Sequence, residues 1–201
     1  MTFKHGADIL AIETVREKED ANMIILIDQD GPLADFEKGF ANHWQNQFPD
    51  EIFIPPEKRT TFYIEDDYPD HFLDKVRGIY SARGFILSLP PVSGGIEAAH
   101  ALLEMGHDVR ICTSPLSKNK YCAMEKYQWV EKHMGREFTN RVILTKDKTL
   151  VRGDFLIDDK PHISGIATPE WERVIFDCHY NRGIPGKRIV DWKNWKEVLN
   201  V

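Results

Sequence analysis

Short, largely apolar runs recur along the chain, and each is followed at once by polar or acidic residues. They occupy positions 23–27, 109–112, 142–144, 155–157 and 174–176. Runs of this length, rich in branched side chains, are typical of strands buried on both faces of a sheet. The pattern therefore predicts five core strands.

Helical patterns lie between these runs. Ile96, Ala99 and Leu103 have helical spacing and stop at Gly106, and a second stripe stops at Gly135 and contains Ala123, Tyr127, Val130 and Met134. Strands that alternate with helices need right-handed crossover connections, which give a mostly parallel sheet. We therefore predict a Rossmann-like α/β core with helices on both faces, whose ligand site lies beyond the carboxyl ends of the strands.

The segment 37–87 departs from this pattern, since it is rich in aromatic, proline and acidic residues and has no buried-strand run. Its start carries an aromatic face with i, i+4 spacing, formed by Phe36, Phe40, Trp44 and Phe48. We predict three parts: an N-terminal extension at 1–22, a core at 23–36 and 88–201, and an inserted cap at 37–87.

Composition narrows the function classes. The 201 residues carry a formal net charge of -6, which argues against a broad surface for polymeric nucleic acid. The longest apolar run, 23–27, is too short to cross a membrane. Three cysteines without a C-x-x-C pair indicate neither a disulfide framework nor a cysteine zinc site. These features predict a soluble, cytoplasmic protein, and they leave the binding of a small anion open.

Two of the strand ends carry groups suited to phosphate chemistry. Asp28 and Asp30 follow the first strand on a turn that Gly31 can tighten. Taken alone, such acids are as often loop solubilisers or helix caps as catalytic groups. Thr113 and Ser114 follow the second strand, where hydroxyl and backbone N–H groups can bind phosphate oxygens or simply cap a helix.

The next two strand ends add a cation and an acidic pair. Lys148 follows the third strand and offers a point charge to a phosphoryl group. Asp158 and Asp159 follow the fourth strand, and their oxygens suit a hard cation. Each signal is weak by itself, but together they occur in one order: D-x-D, T-S, K, D-D.

This ordered set is the four-motif signature of the HAD (haloacid dehalogenase-like) superfamily. Longer segments resemble the 5'(3')-deoxyribonucleotidase family: 28–37, 111–115, 120–122, 125–127, 144–149 and 156–161. The similarity runs from about residue 23 to the segment with Trp192 and Trp195, and it is weakest in the predicted cap. Pro32 departs from the Val or Thr that the family favours, and we expect the turn to tolerate it.

The resemblance implies a phosphomonoesterase that depends on Mg²⁺. Asp28 would attack phosphorus and form an aspartyl-phosphate, and Asp30 would act as general acid and then as general base. Mg²⁺ would be held by Asp28, the main-chain carbonyl of Asp30 and Asp158. Asp159 is expected to orient this site rather than to ligate the ion.

The same resemblance predicts the phosphate contacts. Lys148, Thr113 and Ser114 would hold the phosphoryl oxygens through charge-assisted hydrogen bonds. Lys126 matches a further basic position of the family and would reach the phosphate from its helix. An exposed helical lysine is the equal alternative at this position.

A nucleoside also requires a surface on which its base can stack. Phe36, Phe62, Tyr63 and Phe85 are the candidates, although most aromatic residues of a small cap form its core. Phe36 is favoured because it directly follows the catalytic turn. Lys160 either contacts the sugar or base or faces solvent.

These features predict an enzyme that removes phosphate from 5'- or 3'-(deoxy)nucleoside monophosphates. One alternative is a HAD phosphatase for another small phosphomonoester, and a second is a catalytically silent nucleotide-binding protein. Family resemblance also suggests a homodimer.

Overall fold

The computed structural model describes residues 22–201, so the predicted extension lies outside the described residues except for Asn22. Its centre is a six-stranded sheet. The strands are β1 (Ile24–Ile27), β2 (Asp108–Thr113), β3 (Val142–Leu144), β4 (Phe155–Asp158), β5 (Glu172–Phe176) and β6 (Lys187–Ile189). Their order across the sheet is β3-β2-β1-β4-β5-β6, and all neighbouring strands are parallel.

The predicted α/β class is confirmed, and the five predicted runs are β1 to β5. Strand β6 was not predicted, because Ile189 is its only apolar residue. It pairs with β5 at one edge of the sheet, where a strand needs no apolar run on both faces.

The described part of the chain contains seven α-helices. They are α1 (Phe36–Gln47), α2 (Ile64–Asp67), α3 (Leu73–Ser81), α4 (Gly95–Glu104), α5 (Cys122–Met134), α6 (Arg136–Thr139) and α7 (Trp195–Leu199). Single 3₁₀ turns occur at Pro56–Lys58, Asp70–Phe72, Ile86–Ser88, Lys148–Leu150 and His179–Asn181.

The predicted stripe on α5 is buried in part: Val130 and Met134 lie in the core, but Tyr127 is exposed. The rest of the buried face consists of Trp129 and the charged residues Glu125 and Lys126. The apolar pattern missed this part of the face because it assigns charged side chains to solvent. On α4 the predicted stripe agrees better, since Ala99 is buried there.

The two faces of the sheet are covered differently. Ile25 and Ile27 of β1 point into the large core cluster, which also contains the buried apolar residues of the helices. Leu26 points the other way into a small cluster that includes Trp171 and has no residue of a described α-helix. Loop residues therefore replace the helical layer that the sequence predicted on this second face.

The insert at 37–87 is helical and connects β1 to α4 and β2. Helix α1 follows the aromatic prediction, with Phe40 and Trp44 buried. Helix α5 fixes the end of the insert: Glu125 accepts hydrogen bonds from the N–H groups of Gly84 (2.6 Å) and Ile86 (3.2 Å). The insert is thus joined to the strand that carries the first acidic motif at one end and to α5 at the other.

Candidate active site

The polar residues that follow four different strands converge at the carboxyl edge of the sheet. Asp28, Ser114, Lys148 and Asp158 all line one cavity of about 560 Å³. This size lies in the range typical of small-molecule sites. The convergence follows from the parallel order of β3, β2, β1 and β4, which places the four strand ends side by side.

The turn after β1 is held by its own backbone. The N–H of Gly31 donates to the Ala34 carbonyl (2.9 Å), and the N–H of Ala34 donates to the Gln29 carbonyl (2.7 Å). Pro32 does not disturb this pattern, and its carbonyl accepts a hydrogen bond from the indole of Trp192 (2.7 Å). The turn therefore presents Asp28 and Asp30 from a fixed backbone.

Three carboxylates form an acidic cluster, which consists of Asp28, Asp158 and Asp159. Each offers an oxygen, and these three oxygens lie within 4.8 Å of one another. The ammonium of Lys148 lies 3.0 Å from Asp28 Oδ1 and 2.6 Å from Asp158 Oδ2. One cation thus faces three carboxylates, so the cluster keeps an excess of negative charge.

Ionisation of the cluster reflects this excess. Burial, reinforced by the charges of Asp158 and Asp28, raises the pKa of Asp159 well above its ordinary value. Burial works against the charge of Lys148, but Asp28 and Asp158 outweigh it and raise the lysine pKa. A divalent cation among the oxygens would relieve the repulsion, and an all-oxygen donor set suits a hard ion such as Mg²⁺.

The cluster depends on a glycine at position 31. Gly31 has φ +93°, and a Cβ placed there would meet the Asp159 carboxylate carbon at 2.5 Å. The missing side chain therefore leaves the space in which Asp159 approaches the other two carboxylates. This close approach fits a site built to hold a cation.

Gly31→Ala is expected to lower the free energy of unfolding by more than the ~1–3 kcal/mol that positive φ alone costs a non-glycine residue. Gly84→Ala is the matched control, because Gly84 has φ +89° and a Cβ added there would meet no atom within 4 Å. Urea unfolding of both variants measures the difference. If both variants lose the same free energy of unfolding, the close approach of Asp159 to Gly31 does not contribute to the effect.

Asp30 has one occupied and one free oxygen. Its Oδ2 accepts a hydrogen bond from the ammonium of Lys126 (2.7 Å), whereas its buried Oδ1 has no partner among the described residues. Burial raises the pKa of Asp30 above its ordinary value, and Asp28 adds to this, although Lys126 opposes it. A carboxyl group with a raised pKa suits proton transfer better than one with an ordinary pKa.

Lys126 is fully buried, so the alternative of an exposed helical lysine is wrong. Besides Asp30, its ammonium donates to the hydroxyl of Thr113 (2.9 Å). Thr113 is itself buried and lies behind the cavity wall, whereas Ser114 lines the cavity and donates to the Thr145 carbonyl (2.7 Å). The two hydroxyls therefore occupy different positions relative to the cavity.

Aromatic side chains line the same cavity. Phe36, Phe62 and Tyr63 line it, together with Lys160, whose ammonium lies 5.6 Å from the centre of the Phe62 ring. Phe85 does not line the cavity: it is 1% exposed and supports Phe36 from beneath in an edge-to-face contact at 5.2 Å. Its predicted contact with the substrate is therefore replaced by a packing contact.

Two residues of the cavity region were not singled out from the sequence. The hydroxyl of Tyr180 donates a hydrogen bond to Asp159 Oδ2, and its ring lines the cavity. Buried Arg59 forms ion pairs with Glu37 and Asp67 and lies over the Tyr180 ring. Neither residue follows a predicted strand, so the sequence gives no signal for them. Their position beside the cavity is seen only from the contacts in the folded structure.

Solved structures with the same architecture define the class of fold. One is a provisionally assigned HAD hydrolase, YfnB from Bacillus subtilis, described as bound to magnesium. It has a TM-score of 0.55 at 12% identity and covers 90% of this chain and 99% of its own. A haloacid dehalogenase-like hydrolase from Burkholderia xenovorans, also provisionally assigned, has a TM-score of 0.52 at 16% identity, with 89% and 98% coverage. The fold is therefore HAD-like.

Sequence comparison defines the family. The family model described as "5' nucleotidase, deoxy (Pyrimidine), cytosolic type C protein" matches residues 22–201. The human cytosolic-type 5'(3')-deoxyribonucleotidase is 43% identical over 187 residues, covering 88% of this chain and 92% of its own. A provisionally named relative from Bordetella pertussis is 50% identical over 177 residues, with 88% and 95% coverage. The chain belongs to the 5'(3')-deoxyribonucleotidase family.

This membership confirms the predicted family and the expectation of an enzyme. The compartment varies among relatives, since a human mitochondrial 5'(3')-deoxyribonucleotidase is also 40% identical to the chain. No helix within residues 22–201 has the length and apolar character needed to cross a membrane. The cytoplasmic location and the homodimer stay predictions.

Proposed function

We propose that the protein removes phosphate from 5'- or 3'-(deoxy)nucleoside monophosphates. The observation that carries this proposal is that one cavity is lined both by the acids Asp28 and Asp30 and by the aromatic rings of Phe36 and Phe62. A phosphate ester of a nucleoside has a matching charged part and a planar part that stacks on aromatic rings. The names of the family's relatives agree with this substrate class.

Asp28 is the proposed nucleophile. Its Oδ1 accepts a hydrogen bond from the N–H of Gln29 (2.8 Å) and contacts Lys148, while its Oδ2 accepts none from the described residues. A carboxylate oxygen of Asp28 forms a bond to phosphorus as the bond from phosphorus to the nucleoside oxygen breaks. The resulting aspartyl-phosphate divides a difficult displacement into two easier ones.

Asp30 moves the proton in both steps. It gives its proton to the departing nucleoside oxygen, and it then takes one from the water that attacks the aspartyl-phosphate. Inorganic phosphate leaves, and Asp28 is regenerated. Lys126 holds this carboxyl group in place for the transfer through its bond to Oδ2.

A divalent cation, which we propose to be Mg²⁺, supplies positive charge that lowers the repulsion between the attacking carboxylate and the phosphate. Hydrogen bonds favour Asp28 and Asp159 as its side-chain ligands. Both oxygens of Asp158 already accept donors, from Lys148 (2.6 Å) and from the N–H of Lys160 (2.8 Å), whereas Asp159 Oδ1 accepts none from the described residues. The resemblance implied the opposite assignment, with Asp158 as the ligand and Asp159 as the residue that orients the site.

Positive charge and hydroxyl groups complete the phosphate site. Lys148, at the wall of the cavity, stabilises the charge that develops on the phosphoryl oxygens. Ser114 offers a hydroxyl in the wall, whereas Lys126 does not line the cavity and acts through its bond to Asp30. We assign Thr113 the function of holding Lys126 in place.

We assign the insert at 37–87 the function of a cap, because it contributes Phe62 and Tyr63 to the lining of the cavity. Phe36 and Phe62 are the proposed contacts for the base. Tyr63 is 56% exposed and stands at the rim. Lys160 contributes its charge beside the Phe62 ring, where it can reach the sugar or the base.

A substrate panel assayed with and without Mg²⁺ tests the proposal. We expect dUMP, dTMP and 3'-nucleotides to be hydrolysed much faster than p-nitrophenyl phosphate, with chelator abolishing turnover and Mg²⁺ restoring it. Equal rates for nucleotides and the simple ester would favour the phosphatase of another small phosphomonoester. Saturable nucleotide binding without phosphate release in any condition would favour the catalytically silent protein.

A further inference from the structure

Tyr180 contacts both the acidic cluster and an aromatic residue of the cavity wall. Its hydroxyl donates a hydrogen bond to Asp159 Oδ2. Its ring packs against Phe62 in a T-shaped contact, with ring centres 5.6 Å apart and planes at 85°. The guanidinium of Arg59 lies 5.9 Å from the centre of the same ring. One side chain thus connects the acidic cluster to the proposed base-binding wall.

The turn that carries Tyr180 is fixed by its neighbour Asn181. The side-chain amide of Asn181 donates to the carbonyls of Asp159 (2.7 Å) and Phe176 (2.8 Å), and its oxygen accepts from Arg188 (2.8 Å). These bonds tie the turn to the backbone of the acidic motif and to the end of β5. The position of the Tyr180 hydroxyl relative to Asp159 is therefore set by the core of the protein.

The orientation of the Asp159 carboxylate depends on this one hydroxyl, whereas the Asp158 carboxylate is held by two donors. Among the described residues, Tyr180 is the sole donor to the Asp159 carboxylate, whereas Asp158 accepts from both Lys148 and the N–H of Lys160. Partners that hydrogen-bond to a metal-ligating carboxylate orient it, and their loss weakens metal binding.

Tyr180 also lines a second cavity, which has a volume of about 350 Å³. This cavity shares Asp35, Glu37, Cys178 and Tyr180 with the main cavity. Loss of the ring would enlarge both spaces and remove the ring against which Phe62 packs. The hydroxyl and the ring therefore have separable consequences.

We propose that Tyr180 is a positioning residue with two separable effects: its hydroxyl orients Asp159 for the divalent cation, and its ring holds Phe62 in the base-binding wall. The inference rests on the proposed function, because it assumes a cation at the acidic cluster and a nucleotide against Phe62. Tyr180 itself touches neither reacting atom.

The hydroxyl is tested by Tyr180→Phe, with the exposed Tyr127→Phe on α5 as the matched control. Mg²⁺ binding to the full chain, without substrate, is measured by calorimetry and by the Mg²⁺-dependent rise in melting temperature. We expect Tyr180→Phe to weaken Mg²⁺ binding about 10-fold to 100-fold, and Tyr127→Phe to leave it unchanged. At saturating Mg²⁺ the KM for dUMP should stay near that of the unaltered protein.

The ring is tested by Tyr180→Leu and Phe62→Leu. Tyr180→Leu should weaken Mg²⁺ binding as Tyr180→Phe does and should also raise the KM for dUMP, whereas Phe62→Leu should raise the KM alone. Unchanged Mg²⁺ affinity in Tyr180→Phe would overturn the effect of the hydroxyl. A KM for Tyr180→Leu equal to that of Tyr180→Phe would overturn the effect of the ring.

The unaltered protein separates this inference from the proposed function. If it binds Mg²⁺ but does not hydrolyse nucleoside monophosphates, the proposed function is wrong, and the comparison of Mg²⁺ affinities still decides the effect of the hydroxyl. If it hydrolyses them and Tyr180→Phe binds Mg²⁺ equally well, only the inference about the hydroxyl is wrong.

Discussion

Asp28→Asn is expected to abolish turnover of nucleoside monophosphates, with kcat/KM reduced by about 10⁴-fold or more, while the fold is kept. The amide is nearly isosteric with the carboxylate but is a poor nucleophile. Lys148 keeps its bond to Asp158, and one charge is removed from a crowded acidic cluster. The melting temperature without Mg²⁺ should therefore not fall. Steady-state kinetics and thermal unfolding measure the two effects.

Asp191→Asn is the control, since it makes the same chemical change at an exposed position where the side chain accepts a bond from the Lys193 N–H. It should leave kcat/KM unchanged. Substantial activity in Asp28→Asn, within about 10-fold of the unaltered protein, would remove Asp28 from the mechanism.

Asp30→Asn is expected to lower kcat for nucleotides by about 10²–10⁴-fold, because an amide cannot give a proton to the departing oxygen. The loss should depend on the leaving group. For p-nitrophenyl phosphate the departing oxygen needs little proton assistance, so the first step should survive. The second step still lacks its base, so the phosphoenzyme should accumulate. The release of nitrophenol should then show a burst.

The burst is read by stopped-flow absorbance, and its size should approach one equivalent of enzyme. A loss of equal size for nucleotides and nitrophenyl phosphate, with no burst, would contradict the acid function of Asp30. The raised pKa of Asp30 would then require another explanation.

The sequence predicted the parts of the fold and site that follow a local pattern. Asp28, Ser114, Lys148 and Asp158 each follow a strand, and the rule that ligands bind at the carboxyl edge of parallel strands places them together. Strand β6 has no such pattern, because an edge strand does not require apolar residues on both faces. It was therefore missed.

The sequence pattern could not predict the position of residues that are placed by contacts between distant segments. Glu125 and Lys126 are charged but buried, because each has hydrogen-bond partners from distant segments. Phe85 and Phe62 are both aromatic residues of the insert, yet only Phe62 reaches the cavity. Tyr180 comes to Asp159 across 21 residues of chain, and no spacing in the sequence marks that contact.

The central claim is that the phosphoryl group passes through Asp28. The most direct measurement is rapid acid quenching of the protein during turnover of dUMP with Mg²⁺, followed by peptide mass spectrometry. The account predicts one phosphoryl group on the peptide that contains Asp28, located on Asp28 itself, and none in the Asp28→Asn variant. A phosphoryl group on a different residue, or on the same peptide in the variant, would contradict it.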